Sequence, residues 1–349
     1  MKKIRSVAAI GLMICLCFNI YSVSSSKIEV LDTAFTLYVD DDFNETTPDW
    51  GITNFSKIQD AINASSNGDT IFVYNGTYYE NIIINKSVRL LGEHNTETVI
   101  FENNIYDDII DIFADNVILS GFKFDCYNSG FPDITIKVFS NNCNINNNTF
   151  DGNTNYDSMS GVSIEFIKTA ENNYFVDNEI KRGGLSLCSS NFNIIERNRF
   201  NEGAISLSNS SDNKISKNYV KEGLISLTMS SSNIVSYNLL THCNYGIYVS
   251  THNKLYYSVK NRNEFLNNDF YHNERNAFIE YRGNCLWKNN FWGPSETFDY
   301  RWLLPIPRPI FGNYCIDTVP FEEIKFTFYR IDFDMRPALS PNCDFGSDT

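Results

Sequence analysis

One repeat of about twenty residues runs through the middle of the chain and limits the folds open to it. Asparagine recurs at a constant spacing of twenty, and a second asparagine follows each one five positions later. Apolar residues stand two and seven positions after the first asparagine, and glycine stands ten after it in most repeats. The clearest repeats begin at Asn173, Asn193, Asn213 and Asn233. Such a period indicates a solenoid, because one unit alone cannot bury its apolar side.

Apolar residues alternate within each repeat, which predicts short strands rather than helices. Ile205 and Leu207, for example, lie on either side of Ser206. No repeat has the length or the 3.6-residue periodicity of a helix, and leucine stands at too few positions for a leucine-rich repeat. The pattern favours an all-β parallel β-helix whose coils stack at about 4.8 Å. Further coils are assigned from Cys143, Asn263 and Asn284, with insertions at 150–172 and 243–262.

Asparagine and glycine have structural roles in this prediction. An inward-turned Asn amide can bond the backbone and the Asn of the coils above and below, so we expect a ladder along one corner. The glycines at 183, 203 and 223 are expected to supply the positive φ of another corner. The predicted ladder consists of Asn148, Asn178, Asn198, Asn218, Asn238, Asn268 and Asn289.

The first 24 residues have the features of an export signal. Lys2, Lys3 and Arg5 precede an uncharged apolar run, and Ser22-Val23-Ser24 offers a cleavage site. An uncleaved N-terminal anchor is the alternative, since the run is only slightly short for a membrane span. We therefore expect a secreted or cell-surface protein with no integral membrane span once the signal is removed.

The net charge of −14 argues against several classes of partner. A chain this acidic should repel nucleic acid and anionic membrane surfaces, so no nucleic-acid partner is expected. Export permits disulfides and glycosylation, but the cysteine pairing and the oligomeric state stay open. The cysteines after the signal are Cys126, Cys143, Cys188, Cys243, Cys285, Cys315 and Cys343, and sequons begin at Asn44, Asn54, Asn63, Asn75, Asn85, Asn147 and Asn209.

Residues 37–100 resemble the opening of a known group of secreted proteins. The matching segments are Ile58-Gln59-Asp60-Ala61-Ile62, Gly68-Asp69-Thr70-Ile71, Gly76-Thr77-Tyr78 and Leu91-Gly92. They are similar to the pectin-lyase-like, NosD-like proteins of archaea and bacteria, a carbohydrate-binding and sugar-hydrolysis group. The resemblance covers most of residues 37–338 and implies a right-handed, single-stranded parallel β-helix. The resemblance does not indicate one activity, because the group includes lyases, hydrolases and transport accessories.

The first matching segment predicts an amphipathic helix over the open N-terminal end of the β-helix. Ile58, Ala61 and Ile62 face one way, with Asn54 or Ser56 as the N-cap. Such a helix would cover strand edges that otherwise invite aggregation. The expected organisation is a signal peptide at 1–24, a lead-in with the capping helix at 25–69, coils at 70–291 and a C-terminal capping segment at 292–349.

Polysaccharide lyases and hydrolases on this fold need carboxylates clustered on one face, with a base in the lyases. Asp107, Asp108 and Asp111 precede the regular coils and are the best acidic candidates for a catalytic site, although no basic residue lies near them in sequence. The triplet Asp40-Asp41-Asp42 favours a turn, with Ca²⁺ binding as the alternative. The residues four and nine positions after the repeat asparagines are expected to form two exposed ladders of mainly charged side chains. The first consists of Asp177, Arg197, Lys217 and Tyr237, and the second of Arg182, Glu202 and Glu222.

Hydroxyl side chains form the best candidate for ligand binding. Ser206 and Ser226 should point outward from strands that follow the glycines. Aromatic residues could wall the two ends of this strip, as sugars bind through aromatic stacking and hydroxyl hydrogen bonds. They are Tyr245, Tyr248, Tyr256 and Tyr257 in the second insertion at one end, and Tyr156 in the first insertion at the other. The alternative is a small-residue face that serves only the regularity of the sheet.

The histidines are too scattered for a metal signature, so we assign no metal ligand. His242, Cys243 and His252 form a conceivable soft-metal site, but loop histidines and a structural cysteine account for them more simply. The sequence thus predicts an exported, non-catalytic recognition or structural module, whose partners would be glycans or cell-surface components. A polysaccharide lyase or glycoside hydrolase acting on acidic or surface polysaccharide is the alternative. A copper-delivery accessory is a third and weaker hypothesis.

Overall fold

The computed structural model describes nine segments of the chain, and the predicted signal peptide lies outside them. The described residues are 34–103, 107–126, 134–152, 162–251, 262–281, 285–293, 308–317, 325–334 and 342–343. Only the backbone is described for Cys126, Ile134, Val162, Thr251, Tyr281 and the strands at 308–317 and 325–334.

The described strands form three long sheets, and each regular coil contributes one strand to each sheet. Equivalent strands of successive coils pair in parallel, as when Leu185 pairs with Ile205 and Ile205 with Ile225. The last two described strands are antiparallel to each other and extend one of the sheets. The predicted all-β parallel β-helix is confirmed.

Sheets A, B and C contain twelve, ten and eleven of the described strands. Sheet A consists of Thr36–Val39, Asn54–Phe55, Thr70–Val73, Arg89–Gly92, Ile118–Ser120, Asn144–Asn146, Tyr174–Val176, Ile194–Glu196, Lys214–Ser216, Ile234–Ser236, Asn263–Leu266 and Cys285–Lys288. Sheet B consists of Gly76–Tyr79, Thr98–Phe101, Lys123–Cys126, Thr149–Gly152, Glu179–Ile180, Arg199–Asn201, Tyr219–Lys221, Leu239–Thr241, Asp269–Tyr271 and Phe291–Trp292. Sheet C consists of Ile82–Ile84, Ile110–Ile112, Ile134–Val138, Val162–Ile167, Gly183–Cys188, Gly203–Ser208, Leu224–Thr228, Tyr245–Thr251, Arg275–Tyr281, Arg308–Asp317 and Lys325–Asp334.

The apolar core lies inside the coils. Along the strand Gly203–Ser208 side chains alternate between buried and half-buried, so that Ile205 and Leu207 point inward. Inward residues of successive coils stack on one another, as Phe124 does on Phe150 at a ring-centroid distance of 5.0 Å. The period-two alternation in the sequence therefore identifies the core face of this sheet.

The predicted helix is present at Ile58–Ala64 and buries Ile58, Ala61 and Ile62. Its predicted N-cap is wrong. Lys57 occupies the cap position and makes no side-chain capping bond. The first backbone N–H groups instead donate to the carboxylate of Glu80, from Ile58 at 2.8 Å and Gln59 at 2.9 Å. Burial raises the pKa of Glu80, while these two bonds act to lower it.

The asparagines of the predicted ladder from Asn148 to Asn268 are hydrogen-bonded to one another in successive coils. The Asn198 amide N–H donates to Asn218 Oδ1 at 2.9 Å, and Asn218 repeats this bond with Asn238 at 2.9 Å. Each side-chain Nδ2 also donates to a backbone carbonyl one coil before, such as Asn218 to Ile195. A second ladder, unforeseen as such, runs through the residues that begin each repeat: Asn173, Asn193, Asn213, Asn233 and Asn263.

The last coil lies one residue later than predicted. Asn290, not Asn289, closes the ladder and accepts the amide N–H of Asn268 at 2.9 Å. Cys285 rather than Asn284 pairs with Asn263. A one-residue slip exchanges inward for outward side chains. The observed register is the one that stacks Trp287 on Phe265 and Trp292 on Phe270, at centroid distances of 4.1 and 4.7 Å.

The prediction for the glycines is correct at Gly183, whose φ is 121°, and wrong at Gly203 and Gly223. There the positive φ falls one residue earlier, at Glu202 and Glu222, with values of 54° and 53°. Gly203 and Gly223 are required for another reason. A Cβ on either would meet the carbonyl oxygen of the equivalent glycine one coil before.

Candidate functional site

One column of outward side chains crosses the outer face of sheet C. The strand register aligns these residues over successive coils, and all are half-buried. We call it the sheet C column; its members are Asp111, Lys137, Glu165, Ser186, Ser206, Ser226, Tyr248 and Phe278. Its chemistry changes from charged, through hydroxyl, to aromatic along the β-helix axis.

Two carboxyl groups and an amine meet at the charged end of the column. Lys137 Nζ lies 2.6 Å from Asp108 Oδ2, and the backbone of Lys137 pairs in register with Asp111. Asp111 Oδ1 is buried without a hydrogen-bond partner. Burial, and after it the negative charge of Asp108, raises the pKa of Asp111. The predicted acidic group therefore gains a basic neighbour from the next coil, while Asp107 is exposed beside it.

An aromatic pair adjoins the charged end. Phe113 is 51% exposed, and its ring stacks on that of Phe139 with centroids 4.8 Å apart and planes 8° from parallel. Phe113 follows Asp111 by two residues, so both side chains leave the same face. Sequence reasoning missed this pair, although a phenylalanine two residues after both Asp111 and Lys137 was a usable signal.

The serines occupy the middle of the column as expected. Ser186, Ser206 and Ser226 pair in register on three successive strands. Cys188, Ser208 and Thr228 align beside them two residues later. The alignment is observed, whereas contact with a ligand stays a prediction.

Aromatic side chains occupy the far end. Tyr248 follows Ser226 in register, and its ring stacks on Phe278 with centroids 6.0 Å apart. Tyr245 lies edge-on to Tyr248 at 6.1 Å. The Arg275 guanidinium lies 5.4 Å from the ring centroid of Tyr245. This group provides ring faces together with one cation.

Of the five tyrosines proposed from sequence, Tyr245 and Tyr248 lie within the described residues, and both belong to this aromatic group. Tyr156, Tyr256 and Tyr257 lie outside them. The register brings Phe278, which the sequence did not single out, to the column beside Tyr248. The hydroxyl of Tyr248 is hydrogen-bonded to Glu280, which fixes the tilt of its ring.

The charge ladders are surface ion pairs, as expected. Arg197 Nε lies 2.7 Å from Asp177 Oδ1, and Arg182 Nη2 lies 2.9 Å from Glu202 Oε2. Pairs this exposed contribute about 0–1 kcal/mol each and need no catalytic explanation.

The triplet Asp40-Asp41-Asp42 holds a turn. Asp40 Oδ1 accepts the Asp42 amide N–H at 3.0 Å, and Asp41 Oδ2 accepts that of Thr77 at 3.0 Å. One oxygen from each carboxylate lies within 4.8 Å of the others. Ca²⁺ binding here stays a prediction.

A family model described as "Periplasmic copper-binding protein (NosD)" matches residues 62–303, more than half of the chain. The chain belongs to the NosD family. In the described part of this NosD family protein, no helix combines the length and the apolar character needed to cross a membrane. No curated protein matches the sequence significantly.

Several solved structures share a distant likeness with this NosD family protein. Pectin methylesterase PemA from Erwinia chrysanthemi is 10% identical, over 76% of this chain and 91% of that one, with a TM-score of 0.37. The catalytic domain of a GH87 α-1,3-glucanase is 13% identical, over 74% and 55%, with a TM-score of 0.45. ORF18 of Geobacillus virus E2 is 15% identical, over 83% and 63%, with a TM-score of 0.41. Similarities this distant assign no activity.

The family description names copper, a metal that binds imidazole and thiolate ligands. The sole group of three His, Cys, Asp or Glu ligand atoms among the described residues is the Asp40-Asp41-Asp42 triplet, whose hard oxygen atoms suit Ca²⁺ better than copper. Imidazole suits copper, and the rings of His242 and His272 stack with centroids 5.4 Å apart. Cys243 is not part of this pair, because its Sγ is buried 3.4 Å from the carbonyl oxygen of Thr241.

Proposed function

We propose that this NosD family protein is an exported β-helix module that binds an extended glycan along the outer face of sheet C. The sheet C column carries this proposal, because it places a hydroxyl surface between two aromatic groups. Phe113 and Phe139 lie at one end, and Tyr248 and Phe278 at the other. From Phe139 to Tyr248 the surface spans five strand spacings, about 24 Å.

A glycan suits this surface in two respects. Aromatic ring faces pack against the apolar faces of sugar rings, and serine and threonine hydroxyls exchange hydrogen bonds with sugar hydroxyls. The middle of the surface repeats a serine over three successive coils, at Ser186, Ser206 and Ser226, and a polymer of repeating units presents matching groups at regular intervals. The net charge of −14 disfavours a nucleic acid as the polymer.

A glycan array followed by titration calorimetry tests the proposal on the mature chain. Phe113→Ala and Tyr248→Ala should each lower the affinity for the identified glycan roughly 2–10-fold, the range expected for loss of one aromatic contact. Tyr79→Ala is the matched control, since Tyr79 is exposed and stacks on Phe101 on sheet B. No glycan binding, or an equal loss in the Tyr79 variant, would contradict the proposal.

A polysaccharide-cleaving activity is the second candidate, and the charged end of the column supports it. Asp108 and Asp111 lie on one face with Lys137, but their surroundings differ. The Asp108 carboxylate is paired with the amine of Lys137, whereas the pKa of the Asp111 carboxyl is raised by burial. Such a difference is what general acid–base chemistry on a glycosidic bond requires. Reducing-end or unsaturated-product assays on a polysaccharide panel test it. If a substrate is cleaved and Asp111→Asn abolishes the activity, the result would support this candidate function. If no substrate gives a product, the candidate function is wrong.

A further inference from the structure

Two histidines share one corner of the β-helix. Thr241 pairs in register with Tyr271 on sheet B, and His242 and His272 follow them directly. Their rings lie with centroids 5.4 Å apart and planes 28° from parallel. Both side chains are exposed, and both backbones have positive φ, 56° and 49°. Equal backbone conformations at equivalent positions send both imidazoles outward from the same corner.

One ring is held by a neighbouring hydroxyl. Thr241 Oγ1 lies 2.8 Å from Nδ1 of His242, and Thr241 is only 7% exposed. When Nδ1–H donates to this hydroxyl, Nε2 of His242 is available to bind a metal ion. Histidines that bind metals generally donate their other ring N–H to a neighbouring acceptor in this way, which orients the ring.

A carboxylate stands at the same corner one coil before the pair. Lys221 pairs in register with Thr241, so Glu222 occupies the position equivalent to His242 one coil before. Glu222 is exposed, and its Oε1 lies 3.4 Å from Lys221 Nζ. In a chain of net charge −14, this carboxylate adds to a field that concentrates cations at the corner.

The geometry points to a surface site for a divalent transition-metal ion, bound by imidazole nitrogens of His242 and His272. Imidazole suits Cu²⁺, Ni²⁺ and Zn²⁺, and among these divalent ions Cu²⁺ binds a given site most tightly. The site is independent of the sheet C column, because it lies at the end of sheet B strands and shares no residue with that column.

Copper titration of the mature, full-length chain tests the site, with Cu²⁺ alone as the probe. The wild type should bind one tight Cu²⁺ whose electron paramagnetic resonance spectrum shows coupling to two nitrogen atoms. His242→Asn and His272→Asn should each lower the affinity by more than the roughly 10–100-fold that loss of a supporting hydrogen bond costs. Asparagine is chosen because it tolerates positive φ, so the metal-free variants should keep the wild-type unfolding temperature.

Two further variants separate this site from general binding by surface imidazoles. Thr241→Val should lower the affinity roughly 10–100-fold, since it removes the hydrogen bond to Nδ1 of His242. His94→Asn should leave the affinity unchanged, because His94 is an exposed histidine whose Nδ1 bonds Thr96 at a distant coil. An equal loss in the His94 variant would overturn the assignment. So would a wild-type spectrum that shows oxygen ligands only.

Discussion

Asn342 lies 73 residues from Asp269 in sequence, yet it donates hydrogen bonds to both oxygens of the buried Asp269 carboxylate. The backbone N–H reaches Oδ1 at 2.9 Å and Oδ2 at 2.8 Å, and the side-chain Nδ2 reaches Oδ1 at 3.0 Å. The amide N–H of Cys343 adds a further bond to Oδ2 at 2.8 Å. Residues 342–343 therefore provide donors to a charge inside the β-helix wall.

Deleting residues 342–349 should destabilise the folded chain. Each donor lost from a buried acceptor costs about 1–3 kcal/mol, and more when the group is charged. Asp269→Leu should reduce the cost of the deletion, because Leu239 occupies the equivalent position one coil before. Chemical unfolding followed by circular dichroism measures both. Deletion of 344–349 alone retains both donor residues and is the control; equal costs of deletion with and without Asp269 would contradict the assignment.

Asn218→Ala should destabilise the protein strongly although it changes no charge. The variant leaves the buried amide N–H of Asn198 and the carbonyl of Ile195 without their partners, and each costs about 1–3 kcal/mol. The free energy of unfolding from urea titration measures the effect. Asn244→Ala makes the same substitution at an exposed asparagine, and its free energy of unfolding should lie within about 0.5 kcal/mol of the wild-type value. Similar losses in both variants would mean that the ladder does not stabilise the coil.

Stability should depend on pH through Asp111. The pKa of this carboxyl is raised in the folded chain above its ordinary value of 3.8, chiefly by burial. Ionisation therefore favours the unfolded chain, so the folded chain loses stability as pH rises from that ordinary value through the raised one. Asp111→Asn should unfold at a higher temperature than wild type at pH 7 and at an equal temperature near pH 3. A difference that stays constant with pH would show that ionisation is not its cause.

The buried thiols should resist alkylation. Burial raises the pKa of Cys243 to about 11, so little thiolate exists at neutral pH. Cys188 is half-buried on the outer face of sheet C. Native-state labelling with iodoacetamide, read by peptide mass spectrometry, should modify Cys188 at least roughly tenfold faster than Cys243. Both are free thiols in the structure, and equal labelling rates would contradict the burial of Cys243.

Much of the coil architecture could be predicted because it depends on local pattern. The alternation that turns Ile205 and Leu207 inward and the spacing that brings Asn198 over Asn218 both follow from the repeat alone. Prediction failed where two registers satisfied the same pattern. Asn289 and Asn290 are adjacent, and packing of Trp287 on Phe265 selects the second. His242 and His272 each stand nine residues after a repeat asparagine, Asn233 and Asn263, so the template contained a signal for this pair that sequence reasoning did not use.

The sequence by itself determined the period, the strand alternation, the asparagine ladder and the alignment of the serines. Tertiary structure alone decided which distant groups complete the buried and functional sites. Glu80 caps the helix, Lys137 joins Asp108, and residues 342–343 satisfy Asp269. The physical reason is that a repeat specifies stacking between neighbouring coils through local spacing. Insertions and chain ends have no repeat period, so the contacts of their side chains depend on burial, charge and hydrogen bonding in the folded chain.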